Sequence, residues 1–212
     1  RALTSVVPDP IPTIAERIAH TIFSEAQKHE FIIDLHTSRR SKPFLIVTDK
    51  KYLPMAKQIG ISHTYLTERL SQNDNASGPI DEAGIDGFTL ECGSHNSIDP
   101  SVTDYCMKMI LNTLSVRGHI RVDFEEKPGV YYAKLTTHTA PNTGFVEYFH
   151  SLWKPLEKGD ALYRLYPSND LTETITVKVE ESCIVAKYQP SHTALMGDQV
   201  AQTIPRTSIK SL

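Results

Sequence analysis

The sequence predicts an α/β domain built on a largely parallel sheet, followed by a smaller all-β portion. Up to about residue 118, short runs dense in β-branched and aromatic residues alternate with amphipathic helical stretches. Alternation of that kind lays helices against a mostly parallel sheet. From His119 onward no helical period appears; β-rich runs such as GVYYAKL, GFVEYF, ALYRLY and TITVKV are separated instead by Pro, Gly and Asn. The expected division is therefore 1–118 for the α/β part and 119–212 for the β-rich part. No internal repeat or low-complexity segment argues for a solenoid or a linker.

The elements follow in order. Thr13 and Glu16 have the spacing of a capping box, which predicts a helix start. Ile14, Ile18, Ile22 and Ala26 recur every four residues, with Glu16, Arg17, Glu25 and Lys28 as the polar face, so the helix is expected to pack its isoleucines on a sheet. Phe31 to Leu35 and Pro43 to Val47 read as buried strands. Lys50 to Ile59 reads as a helix, SQNDNASG at 71–78 as an exposed loop, and Gly87 to Gly93 as a further buried strand. Asp99 and Pro100 form an N-cap and first-turn pair; the stripe Val102, Cys106, Met109, Ile110, Leu114 then marks a helix that stops near Gly118.

Composition excludes several classes of function. With 212 residues, 40% apolar and 22% charged, the chain has the mixture of a globular protein. A net charge of -3 and a pI near 6.3 give no general attraction to nucleic acid or to an anionic bilayer. The runs FIIDL and PFLIV fall far short of the roughly 20 apolar residues that span a membrane, and a soluble, cytoplasmic protein is expected. Cys92, Cys106 and Cys183 are odd in number and widely spaced, which points to free, buried thiols rather than a disulfide framework or a thiolate zinc site. The chain opens on Arg1 in a segment that leads directly into a helix, as a fragment would.

Two positions stand out chemically. Asp34-Leu35-His36-Thr37 falls where the first strand should end, and the carboxyl ends of strands in open α/β sheets form ligand crevices. On an extended chain Asp34 and His36 project to one side, so His36 is a candidate metal ligand with Asp34 beside it. The alternative is a hydrogen-bonded histidine at a strand end. Glu91 is a carboxylate inside GFTLECG, a run otherwise suited to burial, and an uncompensated buried charge costs several kcal/mol. Either it faces a crevice as a general base or it belongs to a structural ion pair with a lysine or arginine. Arg39 and Arg40 offer guanidinium forks for a substrate carboxylate, although adjacent arginines taken alone more often belong to a solvated loop. Cys92 and His95 make a poor nucleophile and base, since Cys92 should face away from Glu91 and nothing orients His95.

DLHT followed by arginine, then a strand ending in LECG, resembles the two downstream motifs of the aspartoacylase/succinylglutamate desuccinylase family. The resemblance implies a zinc-carboxypeptidase-like fold, a single catalytic zinc held by a His-x-x-Glu pair and a later histidine, here His36, and a water-activating glutamate, here Glu91. It also makes Arg1 a candidate for the substrate-binding arginine of an Asn-Arg pair. Trp153-Lys154-Pro155-Leu156 and Gly159-Asp160 are similar to the family's C-terminal β domain. The reaction implied is zinc-dependent hydrolysis of an N-acyl amino acid, a small-molecule substrate, by a protein with no nucleic-acid or membrane partner and a possible homo-oligomeric state.

The departures from the family pattern are specific. No histidine in this sequence is followed three residues later by glutamate, so two of the three expected zinc ligands are missing, and the comparable stretch to a substrate-binding tyrosine, SHTALMGD, has none. Three protein ligands plus water is the usual catalytic arrangement. The rival expectations are a non-catalytic small-molecule or protein-binding module on a degenerate hydrolase fold, and a zinc carboxypeptidase acting on peptides.

Overall fold

A computed structural model describes residues 13–38, 40–67, 83–95, 98–124 and 127–212 of the chain. Arg1, Arg39 and the loop expected at 71–78 lie outside the described residues.

Helix α1 spans Ile14–Ala26 and begins as its sequence dictates. The Thr13 hydroxyl accepts from the Glu16 amide while the Glu16 carboxylate accepts from the Thr13 amide at 2.7 Å, closing the capping box. Its inward face differs from the one expected. Ala19 and Ala26 are buried and Glu16 and Phe23 partly so, whereas Ile14, Ile18 and Ile22 are 69%, 55% and 51% exposed. The spacing 16, 19, 23, 26 is as helical as 14, 18, 22, 26. Small alanines let the helix approach closely, and the isoleucine stripe is left without cover among the described residues.

Strand β1 (Phe31–Ser38) follows, then β2 (Arg40–Ser41), β3 (Phe44–Val47), a 3₁₀ turn at Lys50–Tyr52, α2 (Leu53–Gln58), β4 (His63–Leu66) and β5 (Asp86–Ser94). Helix α3 (Pro100–Val116) is capped by Asp99, whose carboxylate accepts from the Ser101 amide at 2.9 Å. Strands β6 (Val130–Tyr132), β7 (Thr136–Thr139), β8 (Gly144–Tyr148), β9 (Pro155–Leu156) and β10 (Ala161–Pro167) come next. The chain closes with β11 (Ile175–Lys178), β12 (Cys183–Tyr188), β13 (Thr193–Ala194), β14 (Gln199–Pro205) and β15 (Ile209–Ser211).

The first sheet has six strands in the order β1-β5-β3-β4-β6-β15. The pairs β1/β5, β3/β4 and β4/β6 are parallel, and β3/β5 and β6/β15 antiparallel, so the sheet is mixed and largely parallel. Leu45, Val47, Phe88 and Leu90 turn one face toward α2 and α3, where Ala56, Ile59, Cys106 and Met109 complete a buried core. The remaining strands form two antiparallel sheets, β11-β10-β8-β13 and β2-β12-β14-β7, with β9 added beside β12. Leu156, Leu162, Leu165, Val185 and Val200 fill the space between them.

Hydrogen bonding crosses the expected division at residue 118 in both directions. β6 and β15 extend the α/β sheet, and β2 pairs with β12 of the β-rich part. A third core of Tyr132, Ala186 and Ile204, with Tyr65, Leu135 and Trp153 against it, seals the halves together. Trp153 is the one non-glycine residue at positive φ (66°) among the described residues. Its ring stacks on His63 with centroids 3.8 Å apart, and its amide donates to the Val185 carbonyl at 2.7 Å. Among the described residues no helix is long and apolar enough to cross a membrane.

Candidate active site

Strands β1 and β5 run parallel with His36 paired directly to Glu91 and Asp34 to Thr89. Directly paired residues share a face and alternate residues along a strand repeat it, so Asp34, His36, Thr89 and Glu91 all stand on the side of the sheet opposite α3. Thr89, fully buried, donates its hydroxyl to the Asp34 carboxylate at 3.3 Å. The two motifs singled out in the sequence, 53 or more residues apart, thus meet as neighbours because β5 inserts beside β1. Gly93 ends the second motif at φ +90°, a conformation that a side chain resists, and the chain turns there so that the His95 amide reaches the Ser38 carbonyl at 3.0 Å.

Glu91 is 4% exposed. On its other side it pairs with Phe44 of β3, and above it sits Lys187 of β12, whose Nζ lies 3.6 Å from Glu91 Oε1 and 4.8 Å from the Phe44 ring centroid. Lys187 arrives there through a β-bulge. Val185 pairs with Thr203 but Lys187 with Gln202, so Ala186 and Lys187 together span one partner position. Before the bulge Cys183 and Val185 point into the all-β core, and after it Tyr188 does. Ala186 and Lys187 are both released toward the α/β sheet, Ala186 to Tyr132 and Ile204 and Lys187 to Glu91.

Sequence reasoning missed Lys187. The signal was available in CIVAKY, a buried-strand run broken by a single cation, the same kind of anomaly that drew attention to Glu91. Glu91 Oε2 is buried and has no hydrogen-bond partner among the described residues. One oxygen of the carboxylate is held by a cation and the other is presented bare, an unusual state for a buried polar atom. Burial, with smaller contributions from Tyr65 and the Glu91 carboxylate, raises the Tyr132 phenol on the same face.

The remaining expected residues fall elsewhere. Cys92 points to the α3 side, where hydrogen bonding to Cys106 and burial push its thiol up, so it is no nucleophile. His95 is exposed, with its ring 3.3 Å from the Thr37 hydroxyl. Arg40 is exposed on β2 opposite Tyr188, one position from the Ser41 and Lys187 pair. Arg1 and Arg39 lie outside the described residues. Among the described residues no three His, Cys, Asp or Glu side chains group in a way that could hold a metal. Among those residues His36 with its neighbours does not make a three-ligand zinc site.

A mixed, largely parallel sheet with helices packed on it, joined to antiparallel β-sheets, matches the fold of succinylglutamate desuccinylases and aspartoacylases, which resembles that of the zinc carboxypeptidases. Residues 11–117, half of the chain, match the succinylglutamate desuccinylase/aspartoacylase catalytic domain, and the chain belongs to that family. The fold is similar to that of the product-bound ectoine utilization protein EutE (DoeB) from Ruegeria pomeroyi, with a TM-score of 0.83 at 18% identity over 95% of this chain and 66% of that one. It is similar to a succinylglutamate desuccinylase/aspartoacylase from Rhodobacter sphaeroides, with a TM-score of 0.82 at 19% identity over 95% of this chain and 66% of that one. For an aspartoacylase family protein from Mesorhizobium loti the TM-score is 0.74 at 19% identity, over 93% of this chain and 70% of the other. The chain spans 59% and 62% of two further family structures, from Shewanella frigidimarina and Shewanella amazonensis. No curated protein matches it.

Proposed function

We propose that this chain is the greater part of a hydrolase that cleaves the amide bond of an N-acyl amino acid, with Glu91 as general base and His36 as one ligand of a catalytic zinc. The observation that carries this reading is the pairing of His36 with Glu91 on adjacent strand ends, with Glu91 Oε2 buried and bare. Glu91 takes a proton from the attacking water as its oxygen bonds to the amide carbon. It then returns that proton to the nitrogen as the C–N bond breaks, releasing a carboxylate and an amine. The His-x-x-Glu pair that the resemblance implies as the other zinc ligands does not occur in this sequence. Arg1, Arg39 and Arg40 are carboxylate-binding candidates on the strength of the guanidinium fork. The free state of Cys92, Cys106 and Cys183 suits a reducing, cytoplasmic setting.

The test is Glu91→Gln in the natural full-length protein, assayed on N-acetyl-L-aspartate, N-succinyl-L-glutamate and a short peptide. Turnover should fall by about 10²- to 10⁴-fold, the usual contribution of a general base, with zinc content unchanged. Unaltered turnover removes Glu91 from the role, and preference for the peptide makes the protein a carboxypeptidase. The absence of a three-ligand group among the described residues favours one second reading, a binding module on the same fold. Natural protein without zinc or turnover would establish it.

A further inference from the structure

Three features outside the proposed chemistry invite a role: the Cys92 and Cys106 thiols behind Glu91, the apolar stripe on α1, and Lys187. The first rests only on the neighbourhood of a buried thiol and a half-buried one, and nothing in the structure shows what covers the second. The third has geometry.

Lys187 belongs to the β-rich part, yet it reaches into the α/β part and meets the carboxylate of Glu91, the one buried there among the described residues. Its side chain is 17% exposed and that of Glu91 5%. At 3.6 Å the contact is longer than a charge-assisted hydrogen bond, which runs to about 2.7–2.9 Å. The ammonium therefore acts on Oε1 as a charge and leaves the carboxylate plane free to be set by direction. Phe44 fixes that direction: it pairs with Glu91 in the sheet, and the ammonium rests over its ring. Here the bulge at Ala186 is what turns Lys187 away from the all-β core.

We propose that Lys187 is the positioning residue for Glu91: it holds Oε1 so that the bare Oε2 faces the reacting water, and it makes the β-rich part a working component of the site rather than a cover. This rests on the reading of Glu91 as general base. The role requires a cation at that point, and arginine or a small ammonium ion in the vacated space should serve in part.

The experiment is steady-state kinetics of the natural full-length protein on its best N-acyl amino acid, with Lys187→Met, Lys187→Arg, Lys187→Ala and Glu91→Gln, singly and with Lys187→Met placed on Glu91→Gln. Misplacing a catalytic group by an ångström costs up to about 10²-fold. Lys187→Met should accordingly lower kcat by about 10- to 100-fold while KM moves by less than about 3-fold. Lys187→Arg should recover most of the loss, ethylammonium should restore part of the turnover of Lys187→Ala, and Lys187→Met should cost nothing further once Glu91→Gln is present. If Lys187→Met does not fold, as judged by its melting transition, the ethylammonium titration of Lys187→Ala decides. Wild-type kcat in Lys187→Met, a rise confined to KM, or an arginine variant as poor as the methionine one overturns the proposal while leaving Glu91 in place. Full turnover in Glu91→Gln overturns the reading beneath it, and with it the role of Lys187.

Discussion

His36 and Glu91 are directly paired across two parallel strands, so the spacing between an imidazole and a buried carboxylate is set by the backbone ladder itself rather than by flexible side-chain reach. Side chains that share a face in this way are held by every hydrogen bond along the two strands, which is how a sheet pre-organises a site.

The ladder can be tested at Gly87, which pairs with Ile32 four residues before Glu91. A Cβ at Gly87 would collide with the Ile32 carbonyl oxygen, a backbone atom that cannot swing aside. Gly87→Ala is expected to part β1 from β5 and cost about 1–3 kcal/mol, the range for overpacking, read as a lower midpoint in urea unfolding. A midpoint equal to that of the parent chain would mean that the two strands separate freely there.

The pairing of Glu91 with Lys187 has a stability signature separate from kinetics. Both side chains are largely buried, and removing one partner of such a pair typically costs about 3–5 kcal/mol because the other charge is left uncompensated. Lys187→Met alone should destabilise strongly, with the 3.6 Å separation placing it toward the lower end of that range. The double variant Glu91→Leu, Lys187→Met should recover most of the loss. Urea unfolding of the four species gives the coupling, and simple additivity would mean that the two charges do not sense each other.

His63 predicts a pH dependence. Burial, aided by the Lys42 charge, pushes its imidazole down to about 4, below the value of about 6.5 in an unfolded chain. The folded state thus favours the neutral ring. Its contribution is fully present above pH 6.5 and is lost as pH falls from there toward 4, because the unfolded chain takes up the proton first. After allowance for partial exposure the effect is on the order of 1 kcal/mol. Thermal melts between pH 7.5 and 4.5 should show it, and His63→Gln should flatten that part of the profile. An unchanged slope in the variant would assign the acid sensitivity to other groups.

Much of this architecture was legible in the residues. The capping box at Thr13 and Glu16, the Asp99 and Pro100 helix start, and the buried runs around Leu45 and Leu90 are local signals, and local signals decided those elements. The inward face of α1 was not legible, since two helical spacings coexist in IAERIAHTIFSEA and only the packed neighbours choose between them. The shared face of His36 and Glu91 needed the topology, because nothing in the sequence says that β5 inserts beside β1 while β3 pairs on its far side. Lys187 needed more still. Whether it faces the all-β core or the α/β sheet turns on a one-residue register shift that no pattern of alternation reveals.

That shift has a consequence of its own. A regular strand sends successive side chains to opposite faces, whereas here two neighbours, Ala186 and Lys187, leave β12 on the same side. Deleting Ala186 would restore plain alternation and still leave the lysine, now next to the inward Val185, facing the α/β sheet. What the extra residue adds is a second occupant of that face: one short stretch of strand supplies both an alanine to the apolar seam with Tyr132 and Ile204 and a cation to Glu91.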